Sequence, residues 1–152
     1  MLSHRWVSLG LLTPIVIAVA LGSGAPLSAI RPQAGGAGLF GEAPDEAVRA
    51  LADQAPDPTV VRSRPVTINF DVLTAPAADA RTSVRPTLLL NLFDDVSFTA
   101  VLDRVDPADG GFTWVGHVPG VPLSTVTLAT VDHIMAGSIV MPDAVYAIKY
   151  VG

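Results

Sequence analysis

The chain has 152 residues, of which half are apolar and 15% are charged, and its formal net charge is −5 at pH 7. This length and composition predict one folded domain and exclude an intrinsically disordered chain. The acidic balance, without any cluster of Lys or Arg, argues against nucleic acid and against an anionic membrane surface as partners. Cysteine is absent, which excludes a disulfide framework, a thiolate zinc site and a cysteine nucleophile.

The N-terminus has the three zones of a secretory signal peptide. The basic start Met1–Arg5 precedes the uncharged apolar run Trp6–Leu21, and small residues follow over Gly22–Ala29. We therefore predict a signal helix within residues 1–29, cleavage near Ala29, and a secreted or extracytoplasmic product that meets the membrane only during export. A single membrane anchor is the alternative, but the sixteen residues of the apolar run are fewer than the roughly 20 that span a bilayer.

Residues 30–63 are predicted to form a flexible leader that contains one short helix near residues 42–54. The stretch is rich in Gly and Ala at its start, which favours a flexible chain. Acidic residues then crowd the first turn of the helix, where they suit the positive end of the helix dipole. Val48, Leu51 and Ala52 lie at helical spacing and predict the face by which this helix docks.

From residue 64 to residue 152 the sequence predicts a β-domain. Apolar and polar residues alternate over Val66–Val72, a polar loop covers Thr74–Arg85, and Thr87–Phe93 is an almost continuous apolar run. Short β-rich runs, each followed by turn residues, then begin near Val96, Phe112, Leu123, Ile134 and Val145. We predict a mainly β fold, a small antiparallel meander barrel or sandwich of six or seven strands.

The inward positions of these strands define the predicted core. Trp114 shares the phase of Phe112 and Val118, so we expect it inside the domain and not on a sugar-binding surface. Gly116 and Gly137 lie within strand patterns and predict bulges or sharp bends. The predicted core consists of Ile68, Phe70, Leu88, Leu90, Phe98, Leu102, Phe112, Trp114, Val126, Leu128, Ile139, Ile148 and Tyr150.

No residue pattern predicts a catalytic residue, a metal site or a bound cofactor. His117 and His133 lie 16 residues apart, without the spacing of zinc ligands, and are expected at the surface. Ser124 and Ser138 have no sequence cue for a base partner, and the common motifs of hydrolases and nucleotide-binding proteins are absent. We therefore predict that the chain is not an enzyme.

Two acidic clusters leave calcium binding open. They are Asp94–Asp95 and Asp103–Asp109, and carboxylate oxygens are the ligands that calcium prefers. Their spacing is not that of an EF-hand, and acidic residues before turns more often cap the turn or face water. The sequence alone does not decide between these roles.

Four ordered runs in the β-domain carry a family resemblance. They are Leu90-Asn91-Leu92-Phe93-x-Asp95-Val96-x-Phe98-Thr99-Ala100-Val101, Trp114-Val115-Gly116, Gly137-Ser138-Ile139 and Tyr146-Ala147-Ile148. In this order, behind a signal peptide, they resemble the N-terminal pro-region of secreted, reprolysin-like zinc metalloproteases, bacterial zincins related to the ADAM and snake-venom enzymes. The likeness extends over about residues 64–152.

The resemblance implies a non-catalytic role in the folding, latency or secretion of a zinc metalloprotease whose catalytic domain is present in cis or in trans. In such precursors the catalytic domain carries a long His-Glu-x-x-His-x-x-Gly-x-x-His zinc motif, which this chain does not contain. The cysteine-based latency switch of the animal relatives cannot operate without a cysteine. We expect the last strand, Val145–Val151, to pair as an exposed edge with the sheet of the enzyme.

Two other functions stay open at this point. A free-standing extracellular β-module would hold a protein or a glycan on loops such as Thr74–Arg85 or Pro107–Gly111. An enzyme with a dispersed site is the third reading, because one sequence does not reveal catalytic residues that meet only in the fold.

Overall fold

The computed structural model describes residues 15–21, 37–55, 57–79 and 85–150, with residues 15–21 and 75–79 described by their backbone alone. The predicted cleavage site at Ala29 lies outside the described residues. So do the basic start of the chain, residues 22–36, part of the predicted 74–85 loop and the last two residues.

The described residues form one nine-stranded antiparallel sheet and two helices. The strands lie in the order β2-β3-β1-β9-β8-β7-β6-β5-β4, which confirms the predicted mainly β fold class. In chain order the elements are β1 (Ile15–Leu21), β2 (Phe40–Glu42), α1 (Asp45–Ala52), β3 (Arg62–Ile68), α2 (Phe70–Asp79), β4 (Thr87–Phe93), β5 (Val96–Ala108), β6 (Gly111–His117), β7 (Thr125–Val131), β8 (Ile134–Val140) and β9 (Ala144–Tyr150).

Strands β4 to β9 form the predicted meander, in which each strand pairs with the next one along the chain. The predicted strand starts agree with the observed ones to within two residues. Asp132 and His133 between β7 and β8 both have positive φ, 48° and 63°. That conformation matches the twist of a tight two-residue hairpin, and it explains why the turn needs so few residues.

The predicted bend at Gly116 is confirmed by the strand register. Pairing of β5 with β6 shifts between Leu102 and Arg104, and Gly116 is the partner of Leu102. A side chain on Gly116 would overlap the Val101 carbonyl oxygen and the Trp114 ring, so only glycine fits. Gly137 also lies against a neighbouring backbone, but the β7–β8 register runs through it without a shift, so the bulge predicted there is not found.

The core lies on the inner face of the curled sheet and follows the predicted alternation. Trp114 is fully buried, as predicted. Ile68, Phe70 and Phe112 are only partly buried and pack at the margin of the core. Tyr150 was predicted inside but is 38% exposed; it is the last residue of β9, where the alternation of buried and exposed positions breaks off.

The region after β3 differs from the prediction. The alternating pattern of Val66–Val72 was expected to be strand throughout, but the chain leaves the sheet after Ile68 and enters α2 at Phe70. Phe70 and Leu73 lie one helical turn apart, and Leu73 is fully buried. The residues therefore satisfy the helical period as well as the strand period, and α2 takes the first part of what was predicted as the 74–85 loop.

Helix α1 lies within the predicted residues 42–54 but docks by a different face. Ala47 is its buried residue, whereas Val48 is 49% exposed. The predicted stripe of Val48, Leu51 and Ala52 is thus wrong. The helix packs against β3, and its one buried side chain is small, which suits a close approach of the two backbones.

The apolar run of the predicted signal helix contains strand β1. Its sequence is Ile-Val-Ile-Ala-Val-Ala-Leu, and four of these seven residues are β-branched, which favours a strand as much as an apolar helix. It lies between β3 and β9 and pairs with both. None of the helices among the described residues combines the length and the apolar character that crossing a membrane requires.

Candidate functional site

The position of β1 is the feature of the fold that bears most directly on function. Its backbone pairs over seven residues with β9, from Ile15 with Tyr150 to Leu21 with Ala144. It pairs over five residues with β3. We call the space between β3 and β9, which residues 15–21 fill, the β1 slot. Those residues belong to the predicted signal peptide, residues 1–29, which we call the export leader to distinguish it from the flexible leader of residues 30–63. The slot is therefore the place where processing would alter the fold.

One wall of the β1 slot is the last strand, β9. The side chains of Tyr146 and Ile148 on this strand are buried in the core, and the Tyr146 ring lies 6.1 Å from the Phe98 ring, centre to centre. Burial raises the pKa of the Tyr146 hydroxyl, and the nearby carboxylates of Asp143 and Asp95 raise it further. The wall is therefore an apolar surface that disfavours a charge.

The sheet curls until its two edges meet along what we call the seam, where Leu39, Phe40, Arg62 and Arg64 reach β4 and the turn after it. One backbone bond crosses the seam, from the Leu39 N–H to the Leu89 carbonyl oxygen at 2.9 Å. Among the described residues, the other hydrogen bonds across the seam involve side chains. The two edges of the sheet are therefore joined mainly by side chains, whereas the strands within the sheet are joined by backbone ladders.

Asn91 on β4 acts at the seam as a substitute for a strand partner. The Phe40 N–H donates to its Oδ1 at 2.9 Å, and its Nδ2 donates to the Phe40 carbonyl oxygen. A single amide thus satisfies both backbone polar groups of one residue, as a neighbouring strand would. This role explains why a polar side chain interrupts the apolar run Thr87–Phe93.

Arg64 on β3 completes the closure by binding β4 carbonyls. Its Nε donates to the Leu92 carbonyl oxygen at 2.6 Å, and its Nη2 donates to the Asn91 carbonyl oxygen. Burial lowers the pKa of this guanidinium, although arginine stays charged at any physiological pH. An arginine is suited to this place because its planar fork reaches two acceptors at once.

Arg62 lies beside Arg64 but faces solvent and pairs with an acid. Its guanidinium is 2.7 Å from the Asp95 carboxylate and lies over the Phe93 ring, 4.0 Å from its centre. The hydrogen bond from Arg62 lowers the pKa of Asp95, and the same bond raises the pKa of Arg62. The pair is half exposed, so it adds little stability.

An open depression of about 250 Å³ lies along the seam. The residues around it are those that close the sheet, and Arg64 and Asn91 already use their polar atoms on backbone partners. Such an arrangement is explained by closure of the fold and leaves few groups for a ligand. The lining consists of Arg64, Leu89, Asn91, Phe93, Asp94 and Ser97.

The two histidines considered in the sequence serve separate structural roles. His117 Nδ1 lies 2.7 Å from the Asp103 carboxylate, and the His133 ring meets the Phe70 ring edge to face at 5.5 Å. Within the described ranges, no group of three or more His, Cys, Asp or Glu is arranged to hold a metal ion.

The acidic clusters that left calcium binding open are occupied by ion pairs. Asp95 binds Arg62, Asp103 binds both Arg85 and His117, and Asp106 binds Arg104. Because Asp95, Asp103 and Asp106 each already have an arginine partner, a calcium ion bound to any of these three would have to displace it.

Ser124 is buried and has a purely local function. Its hydroxyl accepts a hydrogen bond from the Val118 N–H at 3.0 Å and donates to the Val118 carbonyl oxygen at 3.1 Å. It thus ties together the two ends of the β6–β7 loop. In that loop Leu123 has φ of 61° and is 90% exposed.

Most of the residues that carry the family resemblance build the fold, and two of them, Asn91 and Phe93, also line the depression at the seam. Leu90, Leu92, Phe98 and Trp114 belong to the core, and Asn91 closes the seam. Sequence reasoning missed the role of Asn91, yet a lone polar residue in an apolar strand was the available signal. It also missed the use of Arg64, for which no local pattern exists.

No protein-family model, no curated protein and no solved structure matches this chain.

Proposed function

We propose that this chain is a non-catalytic, exported β-domain that assists the folding, latency or secretion of a zinc metalloprotease, in cis or in trans. The sequence resemblance supports this proposal, and one structural observation carries it. Strand β9 is paired with β8 on one side and, on the other, with residues 15–21 of the predicted export leader. Removal of the export leader would expose the backbone of β9.

An exposed β9 gives the module a way to act on an enzyme. An extended segment of the partner can add to a free strand edge, where main-chain hydrogen bonds supply affinity and side chains supply specificity. While β1 is in place, β9 is an interior strand, so the edge expected from the sequence at Val145–Val151 is present only after processing. Leader cleavage and partner binding are therefore coupled in this proposal.

The gene context gives the first test. The nucleotide sequence beyond the Gly152 codon should be read in all three frames, together with the neighbouring genes. The long His-Glu-x-x-His-x-x-Gly-x-x-His motif within about one domain's length supports the proposal. Neighbours without such a protease favour a free-standing module.

A reconstitution experiment gives the second test and uses the catalytic domain that the gene context identifies. This catalytic domain should refold in higher yield, or show lower peptidase activity, when the processed chain is added. Ile148→Pro removes a backbone donor from β9 and should abolish this effect. Thr87→Pro is the matched control, because Thr87 is the exposed first residue of edge strand β4, a position where proline is tolerated. If both variants are folded by circular dichroism and equally effective, β9 is not the contact.

Leu123 favours a second candidate, the free-standing binding module. A leucine that is almost fully exposed in a left-handed conformation costs stability and buries nothing within the chain. A protein partner that covers it would account for the residue better than a glycan would. Binding to extracellular proteins that weakens on Leu123→Asn, with no effect on any metalloprotease, would favour this candidate.

A further inference from the structure

We propose that the β1 slot is a binding site for an extended, uncharged, apolar strand of a partner protein, and that residues 15–21 fill it until the export leader, residues 1–29, is removed. The inference rests on the proposed function in that it requires cleavage of residues 1–29. It goes further by placing the partner between two strands, not along one edge. Three observations carry it: the two-sided pairing, the seam and the sequence of the present occupant.

The pairing fixes the direction and length of the occupant. Residues 15–21 are antiparallel to both β3 and β9, so these two strands are parallel to each other across the slot. A replacement of about seven residues must run in the same direction as β1. It would gain hydrogen bonds on both sides, whereas an edge strand gains them on one.

The seam keeps the slot from closing when its occupant leaves. Neighbouring strands lie about 4.8 Å apart, so β3 would have to move by about that distance to pair directly with β9. Strand β3 is held across the seam by two of its side chains. Arg64 binds the Leu92 and Asn91 carbonyl oxygens, and Arg62 binds Asp95. These contacts do not involve residues 15–21, so they persist after processing.

The sequence of the present occupant defines the chemistry of its replacement. Residues 15–21 contain no charged or polar side chain. Their register partners include Val66 on β3 and Ile148 and Tyr146 on β9, all buried. A charged residue aligned with them would lose hydration without a matched partner. The site therefore takes an apolar strand, preferably with β-branched residues.

The experiment uses the full chain with a recognition sequence for a site-specific protease inserted after Ala29, so that the leader is cut only after folding. The probe is a fluorescent peptide with the sequence of residues 15–21 between solubilising lysines. A second form of the full chain carries Ala18→Cys and Ala147→Cys. The Cα atoms of these two residues are register partners within reach of a disulfide. Because the natural chain has no cysteine, this crosslink is the sole disulfide and locks the leader strand in place.

We expect the nicked chain to exchange its leader for about one peptide per molecule, whereas the intact chain and the nicked, crosslinked chain take up at least about tenfold less. Reduction of the crosslink should restore uptake. A peptide with three N-methylated amides should bind roughly a hundredfold more weakly, because it cannot complete the ladders.

Equal uptake by all forms would overturn the proposal, since it would reflect non-specific adsorption. Two other results would also overturn the proposal. In the first, the designed crosslink fails to form while a mismatched Ala18→Cys, Ala136→Cys pair does crosslink. In the second, the nicked chain dimerises and excludes the peptide. The readout needs no enzyme. Peptide exchange without any effect on a metalloprotease would support the β1 slot as a binding site and reject the proposed function. An effect on the metalloprotease without peptide exchange would reject the β1 slot alone.

Discussion

The meander β4–β9 and the N-terminal strands β1–β3 belong to the same sheet but are assembled by different means. In the meander each strand pairs with its neighbour in sequence through short turns, and backbone ladders hold every contact. In the N-terminal part, residue 15 pairs with residue 150, and the seam depends mainly on the side chains of Asn91 and Arg64. Local pairing makes the meander robust, whereas the N-terminal strands depend on few residues and on distant partners.

This difference has an energetic consequence. Loss of one inner side chain in the meander should be felt throughout the core, because the buried residues of its strands belong to one hydrophobic cluster. Loss of one side chain at the seam opens a boundary and leaves the ladders intact. Variants in the two regions should therefore differ in the extent of unfolding as well as in its free energy.

The largest effect is expected from Trp114→Ala in the meander. Trp114 is fully buried at the centre of the core, and loss of such a side chain costs about 3–5 kcal/mol of unfolding free energy. Urea unfolding should show a lower midpoint, and amide exchange should accelerate across all of β4–β9. Trp114→Phe, which keeps an aromatic ring, should cost less. Faster exchange confined to β6 would contradict the assignment of this residue to a shared core.

Asn91→Ala should open the seam selectively. The Phe40 N–H and carbonyl oxygen would lose their partner, at a cost of about 1–3 kcal/mol. Hydrogen exchange of the Phe40 amide should accelerate strongly while the amides of β6–β8 keep their protection. Ser97→Ala, in the same depression, serves as the control and should leave Phe40 unchanged. An equal effect of the two variants would mean that the seam does not depend on the amide.

Leu123→Asn should stabilise the meander. Asparagine adopts the left-handed conformation more readily than leucine, and no buried area is lost at a residue this exposed, so we expect a gain of about 1 kcal/mol. Thermal unfolding measures it. Val61→Asn, at another exposed apolar residue without positive φ, should change stability little. A destabilised Leu123→Asn variant would show that Leu123 has a packing role within the chain.

Tyr146 reports on β9, the strand where the two regions meet. In a Tyr150→Phe background it is the sole tyrosine, and its absorbance titration should have a midpoint above the ordinary value of about 10, because burial raises its pKa. The unfolded chain then loses this proton at lower pH than the folded chain. Stability should therefore fall as the pH rises above about 10, and Tyr146→Phe should remove that part of the slope. A midpoint at or below the ordinary value would contradict the burial of the ring.

The smallest effect is expected from Arg62→Ala at the exposed side of the seam. Both groups of this ion pair face solvent, so water and salt screen their interaction and the pair contributes little to stability. The pKa of Asp95, which Arg62 lowers, should rise toward its ordinary value in the variant, as NMR titration can follow. In the natural chain the contribution of the pair is present at neutral pH and is lost as the pH falls through the lowered pKa. A cost as large as that of Asn91→Ala would mean that Arg62 is a principal closure of the seam.

The same difference between the regions explains what the sequence could predict. Meander strands and Trp114 were predictable because alternation, turn residues and pairing partners all lie close together along the chain. The placement of Ile15–Leu21 was not, because the run suits both an export helix and a strand and its partners are distant. Asn91 and Arg64 were missed for a related reason, since each binds backbone groups of another strand. The lone polar residue in an apolar run marks Asn91 without identifying its partner, and no local pattern marks Arg64.

Because β1 pairs with β9, the first and the last strands of the sheet are neighbours. A ribosome releases residues 15–21 long before residues 144–150 exist, so during synthesis the N-terminal strand has no β9 with which to pair. Throughout that interval the predicted export signal would be free of its strand partner. The order of translation would thus let one stretch of chain act first as the predicted signal peptide and, where it is retained, later as a strand.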